Sequence, residues 1–214
     1  MGRRSRWIAA AAAAVVLVAC LVVWWLVRAD PDPAPASAAD PPAATDVTPA
    51  PTVVPVPDPC DRGATRPFTP HRITIDGVVE RAEVVGVARD SRGVTGVLPV
   101  DNTVDFAWDL GGIRPGNRRG NVLLNTHTWP DGSAVGNLML DRLRKGDRLV
   151  LLGSEGVRLC YRVTERIEVP AADGFPRYYD AEGPHRVAII VCSGTRSGAG
   201  EWSHRTIWFA RPVA

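Results

Sequence analysis

Charge of one sign is what this chain most lacks. Its 214 residues carry 25 Lys+Arg against 23 Asp+Glu, a formal net charge of +2. That balance leaves no basic footprint for nucleic acid. Cysteine is scarce as well: there are four, with no CxxC pair, so the spacing offers no zinc site. No acidic cluster compels calcium, and no segment repeats. Long helical patterns are missing beyond residue 60. The one short helical stretch is Asn137–Arg144, where Leu138, Leu140 and Leu143 only partly share a helical face.

What is there begins with a single long hydrophobic run. After MGRRSR, residues Trp7 to Val27 are uncharged. As a helix they reach roughly 30 Å, enough to cross a bilayer core. Arg3, Arg4 and Arg6 precede the run and Arg28 follows it, so the positive-inside rule keeps the N-terminus cytoplasmic and puts the rest of the chain outside. Residues 1–28 therefore read as a cytoplasmic N-terminus and a membrane anchor. Two other readings compete. The Ala-rich stretch after Arg28 offers a signal-peptide cleavage site, and Leu17-Val18-Ala19-Cys20 resembles a lipoprotein box. Against the box, the apolar run continues past Cys20 through Trp24 and Trp25.

Proline is concentrated next. Residues 29–59 are nearly all Ala, Pro, Asp, Thr and Val, with ten prolines. Too little bulky apolar surface is present to fold, and the prolines favour an extended polyproline II chain with a reach of at most roughly 95 Å. This reads as an extracytoplasmic stalk, or as a linker of no particular length.

Residues 60–214 are long enough to bury one core. Their apolar runs are short and rich in Val and Ile: RITIDGVVERAEVVGV, GVLPVDNTVDFAWDL, NVLLN, DRLVLL, RLCYRVTERIEV, HRVAIIVC and RTIWFARPV. Gly, Pro, Asp and Asn punctuate them. The pattern predicts a mainly β domain, a mostly antiparallel sandwich or barrel. Outside the membrane disulfides are permitted. Cys60 and Cys160 are the candidate pair, tying the domain's first segment to a central strand; the alternative is Cys160 as a small buried hydrophobe.

One cysteine, Cys192, ends the run AIIVC at a Ser-Gly pair, and Arg205 opens the run TIWFA. Upstream, NVLLN leads to His127. Thiol, imidazole and guanidinium are the nucleophile, proton shuttle and charge stabiliser that acyl transfer requires. Two other histidines compete. His185 precedes Cys192 by seven residues, which is about 23 Å along a strand, at its opposite end. His204 neighbours Arg205 and points to the other face of an extended segment. A buried structural Cys192 and a surface His127 are the plain alternatives.

In this order the segments resemble a sortase, over about residues 72–213. THTWPDGSAVGN with His127, AIIVC with Cys192 and SHRTIWF with Arg205 are similar to the family's histidine, cysteine and arginine segments. LRKGDRLVLL, CYRVTERIEV and FAWDLGGIRPGNRRGN also fit. Anchor, proline-rich stalk and compact domain together resemble the class F and class E sortases of actinobacteria. Three neighbours of the reactive groups depart from the pattern. Thr126 replaces the usual glycine, Val191 the usual threonine, and Ser193 stands where class F often has glycine. The resemblance implies a closed β-barrel with short helices and no cofactor. It also implies a transpeptidase that cleaves an LPxTG-like sorting signal, forms a thioester on Cys192, and passes the acyl group to a cell-wall amine such as a peptidoglycan precursor. His127 would move the proton and Arg205 would hold substrate and oxyanion. The only acid close to His127 in sequence is Asp131, beside Gly132, so no standing thiolate–imidazolium pair is expected. The competing functions are an L,D-transpeptidase and a non-catalytic wall-binding domain.

Overall fold

The apolar runs become strands in two distinct ways. Some alternate: β1 (Arg72–Ile75) and β5 (Arg148–Leu152) bury every second residue and leave the others partly exposed, as sheets with one wet face do. Others are buried throughout. All of β4 (Asn121–Asn125) and residues 206–210 of β8 (Glu201–Pro212) are covered on both faces. A continuous apolar run is the sequence form of a strand sandwiched between two layers.

The computed structural model describes Cys60 and residues 63–213. They fall in one unit, Val54–Ala214. The apolar run 7–27 and the stretch 29–59, read above as anchor and stalk, lie outside the described residues. Among the described residues no helix is long and apolar enough to cross a membrane.

The remaining elements are β2 (Val79–Val87), β3 (Phe106–Asp109), the helix α1 (Val135–Arg142), β6 (Arg158–Pro170) and β7 (Arg186–Gly198). The strands close into a barrel in the order β1-β2-β3-β4-β7-β8-β6-β5, with β5 pairing back onto β1. Closure leaves no free edge. Phe106, Trp108, Leu124, Tyr161 and Trp208 fill its interior. The helix lays Val135, Met139 and Leu143 on this core. That face differs from the expected one, because Leu138 and Leu140 remain partly exposed. Cys60 and Cys160 are joined by a disulfide with Cα atoms 5.7 Å apart. It ties the start of the domain to β6, at the level where the Val213 N–H donates to the Cys160 carbonyl.

The barrel is less antiparallel than the pattern suggested. β2 pairs with β3 and β4 with β7 in parallel. A parallel neighbour cannot be reached by a tight turn, so the chain must travel back along the sheet. Residues 88–105 make one such return, from β2 to β3. Residues 171–185 make another, because β6 and β7 both run antiparallel to the β8 between them. These two returns stand on the outside of the barrel. The first was read as strand material on account of its valines. Val94, Val97, Val100 and Val104 are in fact among the most exposed large apolar residues, and no strand forms between Val87 and Phe106.

Candidate active site

Three neighbouring strands build the site in rows. Along β4, β7 and β8, Leu123 lies beside Ala188 and Ala188 beside Phe209. Two residues on, Asn125 lies beside Ile190 and Ile190 beside Ile207. Another step of two along β7 and β8 reaches Cys192 and Arg205, which are directly paired, and His127 lies two residues past the end of β4. Strand residues two apart face the same side, so Cys192 and Arg205 continue an apolar outer face, and His127 joins them where the chain leaves β4. All three line one cavity of about 590 Å³.

The two return segments wall this cavity. Val94, Thr95 and Val97 come from the first, Phe175, Tyr178 and Tyr179 from the second, and the two meet where the Thr95 N–H lies 3.5 Å from the Tyr179 hydroxyl oxygen. The second wall is stitched to β4: the Tyr178 hydroxyl donates to the Leu124 carbonyl at 3.1 Å, and Asn121 Nδ2 donates to the carbonyls of Arg177 and Tyr178 at 2.8 and 3.0 Å. Arg177 lies 4.5 Å over the Phe209 ring and holds Glu165 in a forked ion pair. The first wall is held by the residues at the end of β4. Asn125 Nδ2 donates to the Gly96 carbonyl at 2.8 Å, and Thr126 Oγ1 donates to the Asp105 carbonyl at 2.7 Å.

Cys192 is the one free cysteine among the described residues, and it is half-buried rather than a surface thiol. Burial pushes its thiol above the ordinary value, and the Arg205 charge opposes this only in part. The resting group is therefore the neutral thiol. Arg205 Nη1 donates to the carbonyls of Trp202 and His204 at 3.1 and 2.8 Å. No carboxylate among the described residues lies within ion-pair distance of it. Its charge is thus available to an anion forming in the cavity.

His127 has a carbonyl for a neighbour rather than an acid: Nε2 is 2.9 Å from the Leu98 oxygen. Asp131 instead accepts from the Ser133 N–H at 2.8 Å, closing its own turn. The His127 backbone is gripped by the start of α1. The Gly136 N–H donates to the His127 carbonyl at 3.1 Å, and Asn137 Oδ1 accepts from the Trp129 N–H at 2.7 Å. A Cβ at position 136 would collide with that carbonyl, so glycine permits the approach.

The rival histidines lie elsewhere. His185 sits at the start of β7 with Nε2 3.0 Å from the Tyr161 hydroxyl. His204 pairs across from Ser193 and places Nδ1 2.8 Å from Ser203 Oγ. Neither lines the cavity. Ser193 is buried with Oγ 2.9 Å from Thr206 Oγ1, which lies 3.2 Å from a Glu168 oxygen. That chain of hydroxyls gives the serine a local structural role. Cys192 and Arg205 are not at strand ends as the Ser-Gly pair suggested. β7 runs on to Gly198 and β8 begins at Glu201, with register shifts after Ser193 absorbing the poor strand formers. Sequence reasoning also passed over Asn125, the Leu98 carbonyl and the aromatic wall, none of which carries a motif.

No protein-family model matches the chain, and no curated protein sequence matches it. Solved structures do. Sortase C1 of Streptococcus agalactiae superposes with a TM-score of 0.51 at 16% identity, covering 67% of each chain. A second crystal form of it gives 0.50 at 16%, and its complex with MTSET 0.50 at 17%; in both the match spans just under two thirds, 66%, of that chain and 67% of this one. The barrel therefore has the sortase fold.

Proposed function

We propose that this protein is a sortase-type cysteine transpeptidase. The observation that carries the reading is that His127, Cys192 and the Arg205 paired with it line one apolar groove on the outer face of a barrel with the sortase fold. Cys192 Sγ attacks the carbonyl of a sorting-signal peptide of LPxTG type. Arg205 faces the oxyanion. The C–N bond breaks as His127 gives its proton to the departing amine, leaving a thioester. An acceptor amine then attacks the thioester and passes its proton to His127, and the C–S bond breaks to release the Cys192 thiolate, restoring the thiolate–imidazolium form. A raised thiol and an imidazole without an acid partner make the reactive thiolate–imidazolium form a minority species, so turnover is slow. The acceptor is a cell-wall amine such as a peptidoglycan precursor, or water in its absence.

The run 7–27 anchors the enzyme in the cell membrane with its N-terminus in the cytoplasm, and the stretch 29–59 lifts the catalytic domain outside. Sharing a membrane with its substrates raises their effective concentration. This organisation favours a class F or class E enzyme. The test is to incubate the full chain with an LPxTG peptide, with and without hydroxylamine. A thioester adduct on Cys192 by intact mass, converted to a hydroxamate, is expected. Peptide binding with no adduct would overturn the reading in favour of a binding domain.

A further inference from the structure

His127 has no acid to place its proton, yet a shuttle whose tautomer is free would waste half its encounters. The Leu98 carbonyl only accepts, so the Nε2 it faces at 2.9 Å must carry hydrogen. The lone pair of the neutral ring then resides on Nδ1. That nitrogen has no hydrogen-bond partner among the described residues, and His127 lines the cavity.

What holds Leu98 in place is therefore what sets the tautomer. Its own side chain is 6% exposed, while Val97 and Val100 on either side are 60% and 65% exposed. Leu98 is thus the inward anchor of an otherwise outward segment. Two residues earlier, Gly96 is gripped from two sides. A Cβ there would collide with the Ala88 carbonyl and the Val87 side chain, and its own carbonyl accepts from Asn125 Nδ2 at 2.8 Å. Asn125 is two residues before His127, on the same outer face. One strand end thus carries both the hold on the segment and the ring that contacts it.

We propose that Asn125 is a positioning residue for His127: by fixing Gly96 it places the Leu98 carbonyl against Nε2, and so makes Nδ1 the nitrogen that exchanges the catalytic proton. The inference rests on His127 being the proton shuttle.

The test labels histidine with 15N in the full chain and reads the His127 tautomer by long-range 1H–15N correlation on the neutral ring. Wild type should show a single Nε2–H form. Asn125→Leu removes the donor at similar size; it should show mixed tautomers and a kcat for peptide cleavage lower by ~10–100-fold, with KM changed less than about twofold. Thr126→Val releases the same segment at Asp105 instead, and should leave the tautomer intact. An Nδ1–H form in wild type, or Asn125→Leu retaining a single Nε2–H form and full kcat, would overturn the proposal. So would equal tautomer mixing in both variants, which would mean general loosening. Should Asn125→Leu fail to fold, Asn125→Ala removes the same donor without adding bulk and is read in the same way, a single Nε2–H form with full kcat overturning the proposal. The wild-type spectrum needs no substrate: an Nε2–H ring in a protein that cleaves no peptide would refute the function and leave the positioning in place.

Discussion

The strands β4, β7 and β8 present two faces, and each face has its own task. Inward, Val122, Leu124, Val187, Ile189, Val191 and Trp208 close the barrel. Outward, Leu123, Ala188, Ile207 and Phe209 form a second apolar cluster beneath Phe175 and Tyr178, and that face ends in His127, Cys192 and Arg205. Ala188, Ile207 and Phe209 are each 0% exposed, as fully buried as the interior. Cys192 and Arg205 thus stand on packed strands, which hold geometry better than loops do, and His127 follows closely on one. Alternation along one strand makes adjacent residues answer to different constraints: Val191 serves the barrel and Cys192 the groove.

The sharpest way to break this partition is Cys192→Ala. Loss of the nucleophile should reduce peptide cleavage by at least ~1,000-fold, while a half-buried thiol at the groove costs less than about 1 kcal/mol in denaturant unfolding. Retained cleavage, or a large loss of stability, would erase the distinction. Arg205→Ala should lower kcat by ~100–1,000-fold. It should also move the pH of Cys192 alkylation upward, because the charge that opposes the burial effect is gone. An unchanged titration would mean the guanidinium does not reach the thiol. Val191→Ala tests the other face. It should cost about 2 kcal/mol of stability through lost burial and a small cavity, with kcat of the folded protein nearly intact.

The smallest effect concerns the outer cluster's rim. Arg177 holds the Glu165 carboxyl below its usual range. A carboxyl depressed in the folded state contributes stability that is present above its unfolded value and is lost as pH falls through the folded one. Glu165→Gln should therefore flatten the acid limb of the stability–pH curve. Near neutrality it should cost only about 0.2–1 kcal/mol, because both partners are partly exposed. An equally steep acid limb in the variant would show that the pair is not what holds this wall.

Strand content was legible because burial on one face leaves a period of two, as in RITI and RLVLL, and burial on both leaves a continuous run, as in NVLLN. Strand partners were not, because a run of residues carries no record of its neighbour. The parallel pairs follow from topology alone. The valines of residues 88–105 have strand chemistry but stand exposed on a return segment containing Pro99, which has no N–H to donate. At the site, residue types and the family resemblance singled out His127, Cys192 and Arg205, and the structure brings all three to the lining of one cavity. The carbonyl facing His127 could not be read at all, since every residue has one and only the fold aims it.

The disulfide has a mechanical consequence. Cys160 lies nine residues before Val169, the β6 residue level with Arg205, so the chain joins the barrel about 30 Å from the groove, at the opposite pole. Tension on the residues ahead of Cys60 passes through the bridge into β6, a strand of 13 residues laced to β5 and β8 on both sides. With the bridge reduced, the same pull falls first on single hydrogen bonds, from the Ala64 N–H to the Arg158 carbonyl and from the Phe68 N–H to the Pro115 carbonyl, and then on β1, only four residues long. Oxidation thus moves the point of loading onto a long strand laced on both sides, and a pull there leaves the groove at the far end unstrained.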